Sequence, residues 1–371
     1  MIAQDRFALP ESIRNILIIQ IGDIGDVVWA TPTFQAVKDA CPDARLSVLV
    51  REGNGTLLEA DPSIQKIFEI KKYPGGLHSR ISRQLQFIFA WRREKFDLVF
   101  DLRSDDRGAI MAFLTGAPIR AALYYQNASR WRNHLFTHLV RPSRENVRTS
   151  LGAAEQSLRI VRGFGIENRS DTPRLWIAEP VRERMQRLVK DLHSSRHGNG
   201  QTGVKRWVTL NPFSRWAYKE WGDDKWIRII DWLWQDFCAA TVIVGSEAER
   251  ERAGRLAGAC TGRTSNLAGR TSLAELAALL SLSSLHLGVD SAAPHIAAAV
   301  GVPTVTLYGP TSWWDWAPVG DQHRVVASDM ACSPCHKTGC DNQGWSKCLE
   351  EMTVETVKET IIAAVSPHRS A

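Results

Sequence analysis

Residues 16–30 read ILIIQIGDIGDVVWA. The run from Ile16 to Ile21 is apolar at successive positions apart from Gln20, as a strand buried on both faces must be, and it stops at Gly22. From Val27 to Ala40 the apolar residues recur at three and four, the period of a helix. A buried strand, a short turn and a helix in that order open a βαβ unit and a parallel sheet.

The same alternation extends outward. Strands are predicted at Arg45 to Val50, Ile64 to Ile70 and Phe96 to Leu102, with helices at His78 to Lys95, Arg107 to Thr115 and Ser150 to Gly163. Gly163 and Gly165 are suitable helix stops, and periodicity is lost from Asn168 to Pro180. A second series follows, with strands at Trp207 to Leu210, Thr241 to Val244, Leu285 to Val289 and Thr304 to Tyr308. Its helices are predicted at Asp224 to Phe237, Glu247 to Ala257, Leu273 to Leu280 and Ala292 to Val300, with a closing helix near Val354 to Ala364. The expectation is an α/β chain of two Rossmann-like, doubly wound parallel sheets facing a central cleft, since 371 residues exceed one ordinary core. The N-terminal domain is assigned to 1–167, a linker to 168–185, the C-terminal domain to 186–350, and a final helix and tail to 351–371. The glycine- and serine-rich stretch from His193 to Gly203 reads as a loop.

A chain with 44% hydrophobic and 23% charged residues is neither disordered nor membrane-spanning. No apolar run reaches the roughly 18 residues of a transmembrane helix, and Met1 to Asn15 lacks the features of a secretion signal, so a cytoplasmic location is expected. A net charge of +6 favours an acidic partner: a nucleotide diphosphate, an anionic membrane surface or nucleic acid. The basic clusters at Arg80 to Arg93 and Arg120 to Arg148 read as solvated helix faces or as a weak attraction to a membrane surface. No aromatic-and-basic recognition motif accompanies them, so nucleic acid is not an expected partner.

The turn Gly22-Asp23-Ile24-Gly25-Asp26 occupies the position of a phosphate-binding loop without its sequence. Neither GxGxxG nor GxxxxGK[ST] is present, which argues against a dinucleotide dehydrogenase and a P-loop enzyme. Two carboxylates stand there instead. Asp23 or Asp26 caps the helix, or one of them is a general base that takes a proton from an attacking hydroxyl. A second constellation begins where the strand ends at Val289. Asp290 and Ser291 form an N-cap, Ala292 and Ala293 permit close approach to free helix-start amides, and His295 lies one turn on from Ser291. Alone, Asp290 reads as a cap and His295 as a satisfied surface histidine; together they read as a diphosphate site. The third lies after the first strand of the second series, where Ser214 offers a hydroxyl and Lys219 a charge for a leaving diphosphate. Glu247, after the next strand, is placed to accept from ribose hydroxyls or to complement a helix start.

Cys332, Cys335, Cys340 and Cys348 follow the pattern C-x2-C-x4-C-x7-C among seven cysteines in all. Four thiolates so spaced suit a structural zinc or iron, and reduced structural cysteines are the alternative. Trp313, Trp314 and Trp316, three of fourteen tryptophans, read as packing residues or as stacking partners for a sugar or adenine.

The turn GDIGDVVWATP at 22–32, the Lys219 loop and the run DSAAPHIAAAVGVPTVTLYGP at 290–310 together resemble the ADP-heptose heptosyltransferases of glycosyltransferase family 9, over nearly the whole chain. The resemblance implies a GT-B fold and inverting, metal-independent transfer of heptose from ADP-heptose to a lipopolysaccharide inner-core acceptor, at the inner face of the inner membrane. Asp26 falls on the family's catalytic base. Ser214 and Lys219 fall where the diphosphate is contacted, Glu247 where the ribose is, and Asp290, Ser291, Ala292 and His295 where phosphate and sugar are held. Ser291 and Ala292 depart from the usual threonine and glycine, which leaves the donor's identity open. No cofactor for catalysis is implied. Late cysteine clusters recur in the family and hold iron in a branch that modifies protein hydroxyls, so a protein acceptor is the alternative within the family. A sugar-nucleotide-binding module without turnover is the alternative outside it.

Overall fold

A computed structural model of the chain describes residues 2–10, 12–71, 88–125, 129–141, 152–194 and 206–365, together with 86 and 204. Two compact units divide it, Met1–Arg174 and Leu175–Ala371.

The first unit carries strands β1 (Ile2–Gln4), β2 (Asn15–Ile19), β3 (Arg45–Arg51), β4 (Lys66–Ile70), β5 (Leu98–Asp101), β6 (Ile119–Leu123) and β7 (His138–Val140). Every pairing is parallel, in the order β1-β7-β6-β5-β2-β3-β4. The strand β2 lies inside the sheet, where Ile16, Leu17, Ile18 and Ile19 have no exposed surface, and each such side chain contributes roughly 1.5–3 kcal/mol on burial. From β2 the chain winds outward to β3 and β4 on one side, then crosses to β5 on the other. The sheet therefore reverses between β2 and β5.

The helices of this unit are α1 (Ile24–Trp29), α2 (Thr31–Ala40), α3 (Asp106–Thr115), α4 (Arg130–His134) and α5 (Gly152–Arg162). The single helix expected over Val27 to Ala40 is two, because Pro32 in the first turn of α2 has no N–H to continue the ladder from α1. Of the helix expected at His78 to Lys95, residues 88–92 are helical and 78–85 lie outside the described residues.

The second unit repeats the plan with β8 (Arg206–Asn211), β9 (Ala239–Ile243), β10 (Thr264–Asn266), β11 (Leu285–Val289), β12 (Thr304–Tyr308) and β13 (His323–Ala327). They pair in parallel in the order β10-β9-β8-β11-β12-β13, so this sheet reverses between β8 and β11. Its helices are α6 (Glu179–Ser194), α7 (Asp223–Phe237), α8 (Arg250–Ala259), α9 (Leu273–Ser281), α10 (Ala292–Ala299), α11 (Trp313–Trp316), α12 (Lys347–Glu350) and α13 (Val354–Val365). Helix α6 begins inside the stretch assigned as linker: Pro180, where the aperiodic stretch ends, stands in the first turn, where a proline starts a helix at no cost in hydrogen bonds. Val354, Val357 and Ile361 of α13 join the same core as Leu285, Leu287, Val305 and Leu307. The loop expected at His193 to Gly203 lies outside the described residues beyond Ser194.

Candidate active site

In an open parallel sheet the loops at a reversal point diverge and leave a crevice at the carboxyl ends of the strands. In the first unit those loops follow β2 and β5. Asp26 sits in the first turn of α1, where its Oδ2 accepts the Asp23 N–H (2.8 Å) and Arg103 Nη1 (2.7 Å). The carboxylate is held by a backbone amide and a guanidinium on one oxygen, which leaves the other for a substrate. Gly22 makes room for it, since a Cβ there would lie 2.3 Å from Asp26 Oδ2. Asp23 holds no such position: its side chain is half exposed and pairs with Arg51 at 2.6 Å.

Arg103 belongs to the loop after β5. Asp101, the last residue of that strand, is fully buried; its Oδ1 accepts the Arg103 N–H at 3.2 Å, and its Oδ2 has no hydrogen-bond partner among the described residues. Burial pushes its carboxyl from 3.8 up to about 7, with the charge of Asp105 adding to the rise and Arg132 opposing it. Ser104 turns the loop with a left-handed φ of 55°, and its Oγ accepts the Leu123 N–H at 3.2 Å. Asp105 then caps α3 by accepting the Gly108 N–H at 2.8 Å. Arg103 and Asp101 were not among the residues expected at the site. The signal available was position: one ends, and the other closely follows, a strand that the sheet order places beside β2.

In the second unit the reversal loops follow β8 and β11. They bring together Lys219, Asp290 and Ser214: Lys219 Nζ lies 2.6 Å from Asp290 Oδ2, and Ser214 Oγ donates to the Asp290 carbonyl at 3.4 Å. The loop is braced from below, since the Ser214 N–H donates to Glu220 Oε1 (2.8 Å) and Glu220 in turn pairs with Arg252. His295 is buried rather than on the surface. Desolvation holds its imidazole from 6.5 down to about 4, against Asp290 and with Lys219, so it is neutral at pH 7. The expected N-cap is only half formed. Ser291 occupies the N-cap position of α10, but its side chain makes no cap hydrogen bond and its buried Oγ has no partner among the described residues. The start of α10, with Ala292 as its first residue, therefore keeps the unpaired amides that favour an anion. Tyr308 OH and Ser312 Oγ, neither expected from sequence, are likewise buried without partners among the described residues. Glu247 follows β9 and its side chain, 67% exposed, pairs with Arg250 at 2.8 Å.

Among the described residues no group of three or more His, Cys, Asp or Glu side chains is arranged to hold a metal ion, so the four late cysteines do not form the expected ligand set. The reason lies in how their segment packs. Cys332 is exposed while Cys348 is buried, its thiol pushed up to about 11, chiefly by desolvation. A Cβ on Gly309 would lie 2.7 Å from Leu349 and 3.3 Å from Cys348 Sγ, so α12 is pressed against the loop after β12. Ser346 Oγ donates to the Tyr218 carbonyl (2.6 Å) and Trp221 Nε1 to the Met352 carbonyl (3.1 Å). The segment props up the Lys219 loop. Trp313 and Trp314 are exposed and meet edge to face at 5.5 Å.

Known proteins share this architecture. The crystal structure of the glycosyl transferase family 9 from Veillonella parvula DSM 2008 superposes with a TM-score of 0.78 at 21% identity, covering 96% of this chain and 98% of that one. E. coli heptosyltransferase WaaC with ADP-2-deoxy-2-fluoro heptose gives a TM-score of 0.69 at 18% identity, covering 94% and 99%. The two parallel-sheet units are thus those of a GT-B fold. In sequence, the lipopolysaccharide heptosyltransferase 3 of Escherichia coli strain K12 is 28% identical over 299 residues, 79% of this chain and 82% of its own. Residues 85–346 match the profile of glycosyltransferase family 9 (heptosyltransferase), and the chain belongs to that family of glycosyltransferases.

Proposed function

We propose that the protein transfers heptose from ADP-heptose to a hydroxyl of a lipopolysaccharide core acceptor, with inversion and in a single displacement. The first unit takes the acceptor and the second the nucleotide sugar. Asp26 removes the hydroxyl proton through Oδ1, the freed oxygen bonds to the anomeric carbon, and the bond from that carbon to the β-phosphate oxygen breaks with its electron pair leaving on ADP. Lys219, Ser214, Ser291 and the amides that begin at Ala292 receive the diphosphate charge; His295, kept neutral, donates or accepts a hydrogen bond without adding charge. Asp290 holds Lys219 in place until the diphosphate arrives, and Glu247 accepts from the ribose hydroxyls. An acceptor anchored in lipid brings the enzyme to the inner membrane face; among the described residues no helix is long and apolar enough to cross a membrane.

The observation that carries this reading is the carboxylate of Asp26, fixed on one oxygen by Arg103 and the Asp23 amide and open on the other. The test is ADP release from ADP-heptose with a lipopolysaccharide-core acceptor, native protein against Asp26→Ala. Acceptor-dependent release, abolished by the substitution, is expected. Binding of ADP-heptose without release to any acceptor would sink the catalytic role, and no binding at all would mean the donor is another nucleotide sugar.

A further inference from the structure

Asp101 has no exposed surface, and none of the steps above uses it. It closes β5 between Ile19 of β2 and Ala122 of β6, neither of which brings a charge. Helix α3 rests on its carboxyl: a Cβ on Gly108 would lie 2.3 Å from Oδ1 and 2.4 Å from Oδ2, so a larger residue there would displace one or the other. The charged groups that act on it are Asp105, at the cap of α3, and Arg132 of α4, in opposite senses. A carboxylate in such a place costs free energy, because burial disfavours its charge and Oδ2 has no partner among the described residues.

What the carboxyl holds is the loop that carries Arg103. Oδ1 accepts the Arg103 N–H at 3.2 Å, and the Ser104 N–H adds to the hold. The next residues are tied down independently: Ser104 Oγ accepts the Leu123 N–H of β6 at 3.2 Å, and Asp105 accepts the Gly108 N–H of α3 at 2.8 Å. The bond at its own N–H therefore fixes where the Arg103 side chain leaves the loop. That side chain reaches Asp26 Oδ2 at 2.7 Å and lies 3.6 Å from Asp105.

We infer that Asp101 is a positioning residue for the transfer reaction: its carboxylate sets the loop that places the Arg103 guanidinium on Asp26. Being fully buried it meets no substrate, and it acts through Arg103 alone. The grip depends on charge, since an ionised acceptor holds N–H groups about twice as strongly as a neutral one. Both loop bonds accordingly favour the charged form, against the larger rise that burial imposes. The carboxyl ionises at about 7, so the loop is firmest and Asp26 best held above that pH, and both slacken below it. The effect on turnover rests on Asp26 as the base; the tie between Asp101 and the loop does not.

The experiment follows kcat across neutral pH, with ADP-heptose and core acceptor saturating, for the native protein, Asp101→Asn, Arg103→Gln and the double variant. Native kcat should rise about fivefold through pH 7. Asparagine keeps an acceptor for the Arg103 N–H but no charge, so Asp101→Asn should stay at the native low-pH value with the rise abolished. Arg103→Gln should lose the rise as well, and adding Asp101→Asn to it should lower kcat no further, with the KM for ADP-heptose unchanged throughout. A rise that survives in Asp101→Asn, or losses that multiply in the double variant, would overturn the positioning role. A second measurement needs no turnover: hydrogen exchange at the Arg103 and Ser104 amides, corrected for its intrinsic pH dependence. Protection should increase about fivefold through pH 7 in the native protein and stay level in Asp101→Asn. If it does so while Asp26→Ala still releases ADP, the base reading falls and the tie to the loop stands. Level protection in the native protein counts against the tie itself.

Discussion

The two sheets reverse in the same way, yet the groups at their reversal points are in opposite electrical states. In the first unit a carboxylate is paired with an arginine at 2.7 Å, beside further guanidinium groups. In the second, a lysine is paired with Asp290 at 2.6 Å, a histidine is held neutral by burial, and hydroxyl groups stand without partners among the described residues. The lesson is that one topology supplies two kinds of crevice according to what the strand ends carry. The first is organised to hold a base ready, the second to receive an anion with hydrogen-bond donors already in place.

Substitutions at the two points should therefore break different quantities. Asp26→Asn is expected to have the largest effect, lowering kcat about a thousandfold while leaving the affinity for ADP unchanged by calorimetry. Lys219→Ala should lower kcat/KM for ADP-heptose about a hundredfold and weaken ADP itself, which a carboxylate-side variant must not do. Asp101 and His295 sharpen the contrast through pH. The Asp101 carboxyl is raised from 3.8 to about 7, so the stability it gives is complete below pH 4 and is lost as pH rises through 7. His295 is lowered from 6.5 to about 4, so its contribution is complete above 6.5 and lost as pH falls toward 4. Asp101→Asn should accordingly stabilise the protein against urea by on the order of 2 kcal/mol at pH 8 and leave it little changed at pH 4. Smallest is Arg103→Gln, for which a roughly tenfold fall in kcat is expected with the ADP-heptose KM retained. An Arg103→Gln variant that loses ADP affinity instead would erase the distinction between the two crevices.

Much of the fold is legible in the chain itself. Strands β2, β3, β11 and β12 are rich in apolar residues and buried along most of their length, and β11 and β12 end at the residues expected. Strands β1, β7 and β10 have three residues each and sit at or next to a sheet edge, too short for an apolar pattern to register. Around the site, local features could be read and long-range ones could not. The carboxylate at a helix start is visible in the turn at 22–26, but its arginine partner is 77 residues away, and only the strand order makes them neighbours. His295 has the right spacing from Ser291 for one face of a helix, yet spacing does not reveal that the face is buried. The cysteine pattern misleads for the same reason: sequence spacing suits a tetrahedral site, while the fold uses the segment to support the loop that carries Lys219.

The bond between Lys219 and Asp290 has a consequence for how a nucleotide would bind. The lysine does not wait as a bare cation; it already has a resident anion, mostly shielded from water. A diphosphate arriving there exchanges places with a carboxylate, as a mobile ion does on a resin, and the released Asp290 must find another donor in the loaded protein. Uptake is then close to charge-neutral at that lysine, and added salt, which competes for free charges, has little to displace.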